Sequence, residues 1–411
     1  MKNRIPGYLL FLCCLGLPFS YQLSTFFLLL FSVASLLLNS TLVNFKANMS
    51  FNETLNFPWI IFGFPLMGFF FTNFKEDSLD QLVKYIPYFL TSVVYLFAKK
   101  EYRLLYRKQM TLGLITGVSL TVVYLLSVNF YNFYKSNDTL LELLSYKYTY
   151  NNFLRPIDSH PTYLGVIILI SNYFISFVIK NKAIKCFLFF LNIFALITLM
   201  SKVIIIGFLI QILMKFLSLT KLRTKIIISL LAVSFAFFTL YLYKNHLKDV
   251  YFLQRFSIEL FWDVNSSNQG VSANGRVKDD SRFSRWSAIW DKANDSLMFG
   301  YGSGSEEQIL SEVYKEHSLL VSLQRNYNTH NQYLFYILEY GIIIALLFFS
   351  FLVVNFIFAF KRKDYFFVFF TFLLILICCF ENYFNRTMGV LLISIVLTFA
   401  KNENKKNIIN F

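Results

Sequence analysis

Long apolar runs alternate with short polar segments along the chain. Runs such as 111–130, 226–243 and 341–360 are long enough to cross a bilayer, which takes about 17 to 25 residues per helix. They lack the alternation of barrel strands, and only helices and closed barrels satisfy the backbone in lipid. The pattern therefore predicts an all-α polytopic membrane protein with about 12 transmembrane helices. The predicted spans are 7–20, 22–39, 57–72, 80–98, 110–131, 161–179, 183–200, 203–219, 226–243, 332–360, 365–380 and 386–400.

The short loops predict the orientation. With the N-terminus in the cytoplasm, cytoplasmic segments carry 21 Lys and Arg residues and the opposite side carries 7, leaving the large loop aside. This positive-inside bias places both termini in the cytoplasm. Three regions follow: 1–243 with nine spans, 244–331 as one large non-cytoplasmic loop, and 332–411 with three spans and a cytoplasmic tail.

Composition narrows the class of protein further. Only 15% of the residues are charged and 56% are hydrophobic, whereas soluble proteins carry about 25% charged residues. The net charge of +15 is spread in short clusters between apolar runs, without the continuous basic stripe that a nucleic acid needs. The five cysteines lie in or beside apolar runs, where they are predicted to be small buried hydrophobes instead of disulfide or metal sites.

The large loop contains a predicted amphipathic helix over 281–299. Asp279, Asp280 or Ser281 can cap it. Its apolar face is predicted on Phe283, Trp286, Trp290, Ala293 and Leu297. A helix of this kind can also simply lie on the membrane surface with its arginines in water or headgroups.

The segment 300–305 follows the helix with the sequence Gly-Tyr-Gly-Ser-Gly-Ser. Its glycines could bring backbone N–H groups close to a phosphate. A plain turn is the commoner outcome for such a segment. It is not a dinucleotide fingerprint, because it leaves a helix and does not follow a strand.

Two groups of polar residues are candidates for chemistry. His330, at the exit of the large loop, can take a proton from a hydroxyl, and Asn331 can orient a substrate. Residue type alone does not separate His330 from His160 or His317, and a lone histidine at a membrane boundary is more often structural.

Charges near the bilayer usually face a cavity or a partner, since burying them is costly. Lys202 lies between two apolar runs, and Glu381 and Arg386 lie in the turn between the last two spans. Snorkelling to the headgroups is the alternative for Lys202.

Four segments in order resemble the family of O-antigen ligases and polymerases, which are bacterial membrane glycosyltransferases. They are His160–Tyr163, Ser201-Lys202, Arg282–Trp286 leading into Gly300–Gly304, and His330–Leu334 with Glu339 and Gly341 after it. The resemblance covers roughly residues 150 to 390, and it rests on the order and spacing of individually weak motifs.

The resemblance implies a GT-C-like fold in the bacterial inner membrane, with no cofactor and no metal. The donor would be a glycan on undecaprenyl pyrophosphate, and the acceptor a sugar hydroxyl of lipid A–core or of another glycan. His330 would be the catalytic base, and pyrophosphate would be bound by Arg282, Lys202, Arg285 and Arg155. Asn331, His160, Glu381 and Arg386 would support the site. Lys202 stands where the family usually has an arginine, so the charge is kept and the bidentate fork is lost.

Other functions stay open on the sequence alone. A polymerase that joins repeat units would use the same parts as a ligase. A lipid-linked glycan transporter would need a polar path through both leaflets and usually an internal repeat, and neither is visible. A non-catalytic assembly partner would tolerate substitution of the loop charges.

Overall fold

A computed structural model describes residues 4–40, 57–217, 270–271, 277–278 and 280–400. The helices are α1 (Ile5–Gly16), α2 (Tyr21–Asn39), α3 (Trp59–Phe71), α4 (Lys75–Phe97), α5 (Lys100–Ser136), α6 (Asn151–Leu154), α7 (Pro161–Val178), α8 (Lys182–Leu199), α9 (Lys202–Leu217), α10 (Arg282–Asn294), α11 (Glu306–Glu316), α12 (Leu320–Gln324), α13 (Gln332–Lys361), α14 (Tyr365–Cys378) and α15 (Thr387–Phe399). Short 3-10 helices cover Leu140–Leu144, Arg155–Ile157 and Tyr383–Asn385, and the strands β1 (Gly270–Val271) and β2 (Val277–Lys278) pair antiparallel.

The molecule is a helical membrane protein. Five described helices are long and apolar enough to span a bilayer, namely α2, α5, α7, α8 and α13. A helix occupies every predicted span that falls within the described ranges. The predicted ninth span, 226–243, lies outside the described residues, so the total of 12 spans and the GT-C-like fold stay predictions.

Helix α5 is longer than predicted and packs tightly against α1. It runs for 37 residues from Lys100 to Ser136, whereas the apolar run predicted 110–131. Two glycines four residues apart, Gly113 and Gly117, let the backbones approach, as small residues do between membrane helices. A Cβ atom on Gly117 would lie 2.4 Å from the carbonyl oxygen of Leu15.

Helix α13 is not the single straight helix that the apolar run predicts. Gly341 has φ 79° and breaks the helical geometry. The backbone groups freed by this kink bond to the preceding loop: the N–H of Ile342 donates to Leu297 O, and the N–H groups of Tyr301 and Gly302 donate to Leu338 O and Glu339 O, each at 2.8 Å. We call this pairing of residues 297–304 with residues 338–342 the glycine seam.

The described part of the large loop has a small core of its own. Side chains of α10, α11 and the first turns of α13 form it. Its members are Ala288, Ile289, Ala293, Ile309, Leu310, Val313, Tyr314, Leu319, Leu334 and Leu338. The loop therefore packs onto the first half of α13 as a folded unit.

Helix α10 is shorter than the predicted 281–299, since it ends at Asn294, and its buried face matches the predicted one only in part, at Ala293. Phe283 and Trp290 are exposed, at 49% and 43%, and Arg285 with Ala288 and Ile289 is buried instead. The hydroxyl of Ser281 caps the helix by accepting the N–H of Ser284 at 3.1 Å.

Of the other two predicted caps, Asp280 has a different partner. Its Oδ2 accepts the backbone N–H and the hydroxyl of Ser322, at 2.6 and 2.8 Å, and so ties α12 to the start of α10. Asp279 lies outside the described residues.

Candidate functional site

A histidine and a glutamate form the centre of the site, where the large loop meets the turn between α14 and α15. His330 Nδ1 lies 3.3 Å from Glu381 Oε2. Glu381 is buried at 7% exposure, and the side chain of His330 keeps 23% of its surface exposed. The imidazole is therefore held by the carboxylate, while part of the His330 side chain stays accessible to solvent.

The surroundings of this pair lower the pKa of both groups, which leaves the histidine neutral and the glutamate charged. Burial lowers the pKa of His330; the hydrogen bond and charge of Glu381 raise it in part, and Arg282 and Arg285 lower it again. Burial by itself would raise the pKa of Glu381, but His330, His160 and Arg282 outweigh burial and hold that pKa well below its usual value. At neutral pH the pair is therefore a carboxylate and a neutral imidazole.

These charge states fix the tautomer of His330. A carboxylate can only accept, so the hydrogen of the neutral ring must be on Nδ1, which donates to Glu381. Nε2 then carries the lone pair that can accept a proton, which is the arrangement of a general base.

Arg282 completes the cluster from the first turn of α10. Its Nη2 lies 4.0 Å from Glu381 Oε1, the oxygen that His330 does not use. Its Nη1 donates to Phe380 O at 3.4 Å. Both contacts are long for a guanidinium, which bonds carboxylates at about 2.7–2.9 Å when fully engaged. Arg282 is therefore placed to move its fork onto an anionic ligand.

The backbone around His330 is held by side chains on both sides. Thr329 N donates to Glu306 Oε1 at 3.0 Å, and Asn331 N donates to Asn382 Oδ1 at 2.9 Å. Asn382 Nδ2 also donates to Glu306 Oε1, at 2.9 Å. We call the Glu306 and Asn382 side chains together the Glu306–Asn382 clamp.

Asn331 and His160 have defined local contacts. The Oδ1 atom of Asn331 accepts the N–H groups of Tyr333 and Leu334, at 3.0 and 3.1 Å, and so caps α13. His160 caps α7 in the same way, with its Nδ1 accepting Thr162 N at 3.3 Å. His160 also lies within electrostatic range of Glu381, so α7 borders the site.

Arg285 lies behind the site, buried in the loop. Its guanidinium stacks on the ring of Tyr327 at 4.9 Å, and that ring meets the ring of His330 edge-on at 5.9 Å. Only 6% of Arg285 is exposed. Its charge acts on His330, while its stacked position makes it part of the wall of the site.

The structure places Lys202 and Arg155 on the α7–α9 side of the molecule. Lys202 begins α9 and is half-buried, and the hydroxyl of Ser201 lies 3.4 Å from that of Thr162. Arg155 is exposed in the 3-10 helix Arg155–Ile157, ahead of α7.

A second pair of cations consists of Arg386, which the sequence predicted as a site residue, and Lys84, which it did not. Arg386 is exposed at the start of α15, and Lys84 is half-buried on α4. Their charges act on each other and on Glu306. Tyr88, one turn after Lys84, donates its hydroxyl to Phe384 O at 3.2 Å, which fixes α4 against this turn. Lys84 is a cation inside the predicted span 80–98, and that cost could have marked it as functional.

The glycine segment 300–305 does not have the phosphate-binding arrangement. Its N–H groups are already used: Gly300 donates to Ser296 O, Tyr301 and Gly302 donate into the glycine seam, and Gly304 donates to Glu339 Oε1 at 3.2 Å. The segment is a turn that packs against the kink of α13, which is the plainer of the two sequence predictions.

Comparison with known proteins agrees with the predicted resemblance. A family model described as O-antigen ligase matches residues 187–349. The match includes Lys202, Arg282, Arg285 and His330, and it ends before Glu381 and Arg386. No curated protein matches the chain significantly. The match confirms the resemblance to the O-antigen ligase family over this region and supports a glycosyltransferase-type enzyme.

Proposed function

We propose that the chain transfers a glycan from undecaprenyl pyrophosphate to a sugar hydroxyl of lipid A–core at the periplasmic face of the bacterial inner membrane. One observation carries the proposal most strongly: Glu381 receives His330 on one carboxylate oxygen and Arg282 near the other. A base and a movable cation thus lie side by side in a region similar to O-antigen ligases.

His330 would act on the acceptor. Nε2 takes the proton of the sugar hydroxyl as its oxygen attacks the anomeric carbon of the donor glycan. The new glycosidic C–O bond forms while the bond to the diphosphate breaks, and the diphosphate leaves on its lipid with the electron pair. Glu381 stabilises the imidazolium that results, since a carboxylate favours a nearby charged histidine.

The cations would bind the leaving diphosphate. Arg282 offers a bidentate fork to its oxygens. Arg386 and Lys84 carry further positive charge to the same turn. Lys202 and Arg155 complete the set proposed for the donor, while Arg285 contributes its charge from the wall of the site. Stabilisation of developing charge by fixed cations is the main requirement of such a step, and we propose that no metal ion takes part.

The function is tested in a strain from which the gene is deleted. For a ligase, we expect unligated polymer to accumulate on the lipid carrier, and the complete chain should restore its transfer. Core capped with a single repeat unit would instead identify a polymerase. Movement of the lipid-linked glycan across liposomes without a new glycosidic bond would identify a transporter.

The site is tested in the same strain with His330→Ala and Arg282→Ala. Loss of a general base reduces a rate by about 10²–10⁴-fold, so both variants should fail to restore transfer at normal protein levels. His317→Ala and Arg362→Ala are matched controls, since both side chains are exposed, one at the end of α11 and one at the far end of α13. Full activity of both site variants would show that the site is misassigned.

A further inference from the structure

The backbone on each side of His330 is bound by side chains to an unusual extent. The N–H groups of three consecutive residues donate to three different side-chain oxygens. Thr329 N donates to Glu306 Oε1, His330 N to Asn328 Oδ1 at 3.1 Å, and Asn331 N to Asn382 Oδ1. Secondary structure contributes none of these bonds, so side chains specify the path of the segment.

The conformation of His330 explains why so many bonds are needed. Its φ is 45°, in the left-handed region. A non-glycine residue there costs about 1–3 kcal/mol and persists only where its surroundings over-determine it. Without the flanking bonds the segment would relax, and the ring would turn away from Glu381.

Asn382 is the residue through which the two halves of the site are held together. It follows Glu381 directly, and it uses both ends of its amide: Oδ1 accepts Asn331 N, and Nδ2 donates to Glu306 Oε1. The hydroxyl of Thr329 lies 2.8 Å from the same Oδ1. The backbone that carries His330 is therefore bonded to the residue next to Glu381.

We propose that Glu306 and Asn382 are positioning residues, which hold His330 so that Nδ1 faces Glu381 and Nε2 faces the acceptor. The proposal rests on the proposed function, in which His330 is the base. Neither side chain needs to touch substrate. A misplacement of about 1 Å in a catalytic group can cost about 10²-fold in rate, so the Glu306–Asn382 clamp controls the reaction without taking part in it.

Because Asn382 donates to Glu306, a substitution of the same size that removes the donor tests the clamp. Asn382→Asp replaces the donor Nδ2 by an oxygen that faces Glu306 Oε1 across 2.9 Å. Two carboxyl groups so close must share a proton, and they repel each other once it is lost. Glu306→Gln by itself is the conservative counterpart. One oxygen of Glu306, Oε1, accepts both Asn382 Nδ2 and Thr329 N, and the carbonyl oxygen of a glutamine in the same place can accept both as well.

The readout is the labelling of His330 by diethyl pyrocarbonate, which reacts with neutral imidazole, followed by mass spectrometry of the purified full-length protein. This measurement does not depend on activity. We expect Asn382→Asp to label several-fold faster than the natural chain at neutral pH, and Glu306→Gln, which keeps both bonds, to label close to the natural rate. Gln332→Glu is the control, since the side chain of Gln332 accepts Phe384 N of the same turn at 2.8 Å and makes none of the described hydrogen bonds to residues 329–331.

Transfer activity provides the second readout, with membranes of the deletion strain as the source of lipid-linked glycan. Asn382→Asp should lower kcat by up to about 10²-fold with little change in KM for the donor. It should also add an alkaline limb to the pH profile, because raising the pH removes the shared proton. Glu306→Gln, which brings no second carboxyl group to this contact, should not add such a limb.

The possible outcomes separate the two proposals. Labelling of Asn382→Asp at the natural rate, with an unchanged pH profile, would overturn the clamp whatever His330 does. Full activity of His330→Ala would overturn the proposed base, while the labelling data would still report on the clamp. If Asn382→Asp does not accumulate, Glu306→Leu, which removes the accepting oxygen, should raise the labelling rate, and an unchanged rate would equally overturn the clamp.

Discussion

The large loop is attached to α13 at two places that are built from different chemical groups. In the glycine seam, backbone N–H groups donate to backbone carbonyls, and the left-handed positions belong to glycines such as Gly300 and Gly341. At His330, side chains bind the backbone, and the left-handed position belongs to a histidine. Glycines adopt these backbone angles at little conformational cost. His330 adopts its angle at a higher cost, and the result is a fixed position for its ring.

Two buried glutamates show the same contrast. Glu381 faces His330 and Arg282, which are cationic or titratable partners. Glu339 receives only neutral donors among the hydrogen bonds described: Gln81 Nε2 at 2.8 Å and the N–H groups of Gly304 and Glu306 at 3.2 and 3.3 Å. The nature of the partners separates a carboxylate suited to chemistry from one that supports the scaffold.

The largest expected effect is on the glycine seam. Gly341→Ala places a Cβ atom 2.1 Å from Met298 O, in a backbone with φ 79°. A backbone with φ 79° and ψ 173° is adopted essentially only by glycine and costs about 1–3 kcal/mol for a residue with a side chain, and the clash also separates residues 297–304 from the kink. We expect most of the folded protein to be lost, measured by thermal unfolding of detergent-purified chain.

Gly63→Ala is the matched control, because a Cβ atom there meets nothing within 4 Å inside α3. Alanine is favoured over glycine in helices by about 0.5–1 kcal/mol, so this variant should be at least as stable as the natural chain. Equal melting temperatures for the two variants would show that the seam does not hold the loop.

A smaller effect, on chemistry instead of folding, is expected for Glu381→Gln. A hydrogen bond to a charged group contributes about 1.5–3 kcal/mol, which corresponds to about 10-fold to 100-fold in rate. The pH profile should shift as well. Activity requires neutral His330 and is lost as pH falls through its pKa; because Glu381 raises that pKa, removing its charge should move the acid limb to lower pH.

Glu339→Gln is the comparison that sharpens this result. Glu339 is equally buried but has neutral partners. We expect the variant to keep the natural position of the acid limb, measured as the initial transfer rate against pH. A shift of the limb in Glu339→Gln and none in Glu381→Gln would reverse the assignment of the two carboxylates.

The smallest effect is expected at the wall of the site. Trp286 Nε1 donates to Thr329 O at 2.9 Å. Trp286→Phe removes this neutral hydrogen bond, which contributes about 0.5–1.5 kcal/mol, so the transfer rate should fall by less than about 10-fold. Trp290→Phe on the same helix is the control, since Trp290 is 43% exposed. Identical rates for both variants would show that this bond does not support the segment.

The helices were predictable because each apolar run is set by its own residues. The kink of α13 was not, since Gly341 sits inside an apolar run and the bond beside it, from Ile342 N to Leu297 O, joins α13 to a distant part of the chain. The buried face of α10 was misjudged for a similar reason. Arg285 stacks on Tyr327 and is buried, whereas helical periodicity assigns arginines to the polar face.

Part of the candidate site was also predictable. His330 and Glu381 were singled out by residue type and position and Arg282 by the family resemblance, and the structure brings the three together. Glu306 and Asn382 were missed because their bonds join segments 76 residues apart, Asn382 Nδ2 donating to Glu306 Oε1. Local patterns give no sign of such a contact, although Asn382 stands directly beside Glu381.

The attachment of the loop has a consequence for biosynthesis. Thr72 donates its hydroxyl to Ser303 O at 2.8 Å. Because Ser303 lies 231 residues later in the chain, Thr72 is synthesised well before its partner. The glycine seam then needs residues 338–342, which follow later still. Chains are synthesised from the N-terminus at about 5–20 residues per second. Helices α3 and α4 are therefore complete many seconds before the loop can pack against them. Assembly of the site is later still, because Glu381 and Asn382 follow α14.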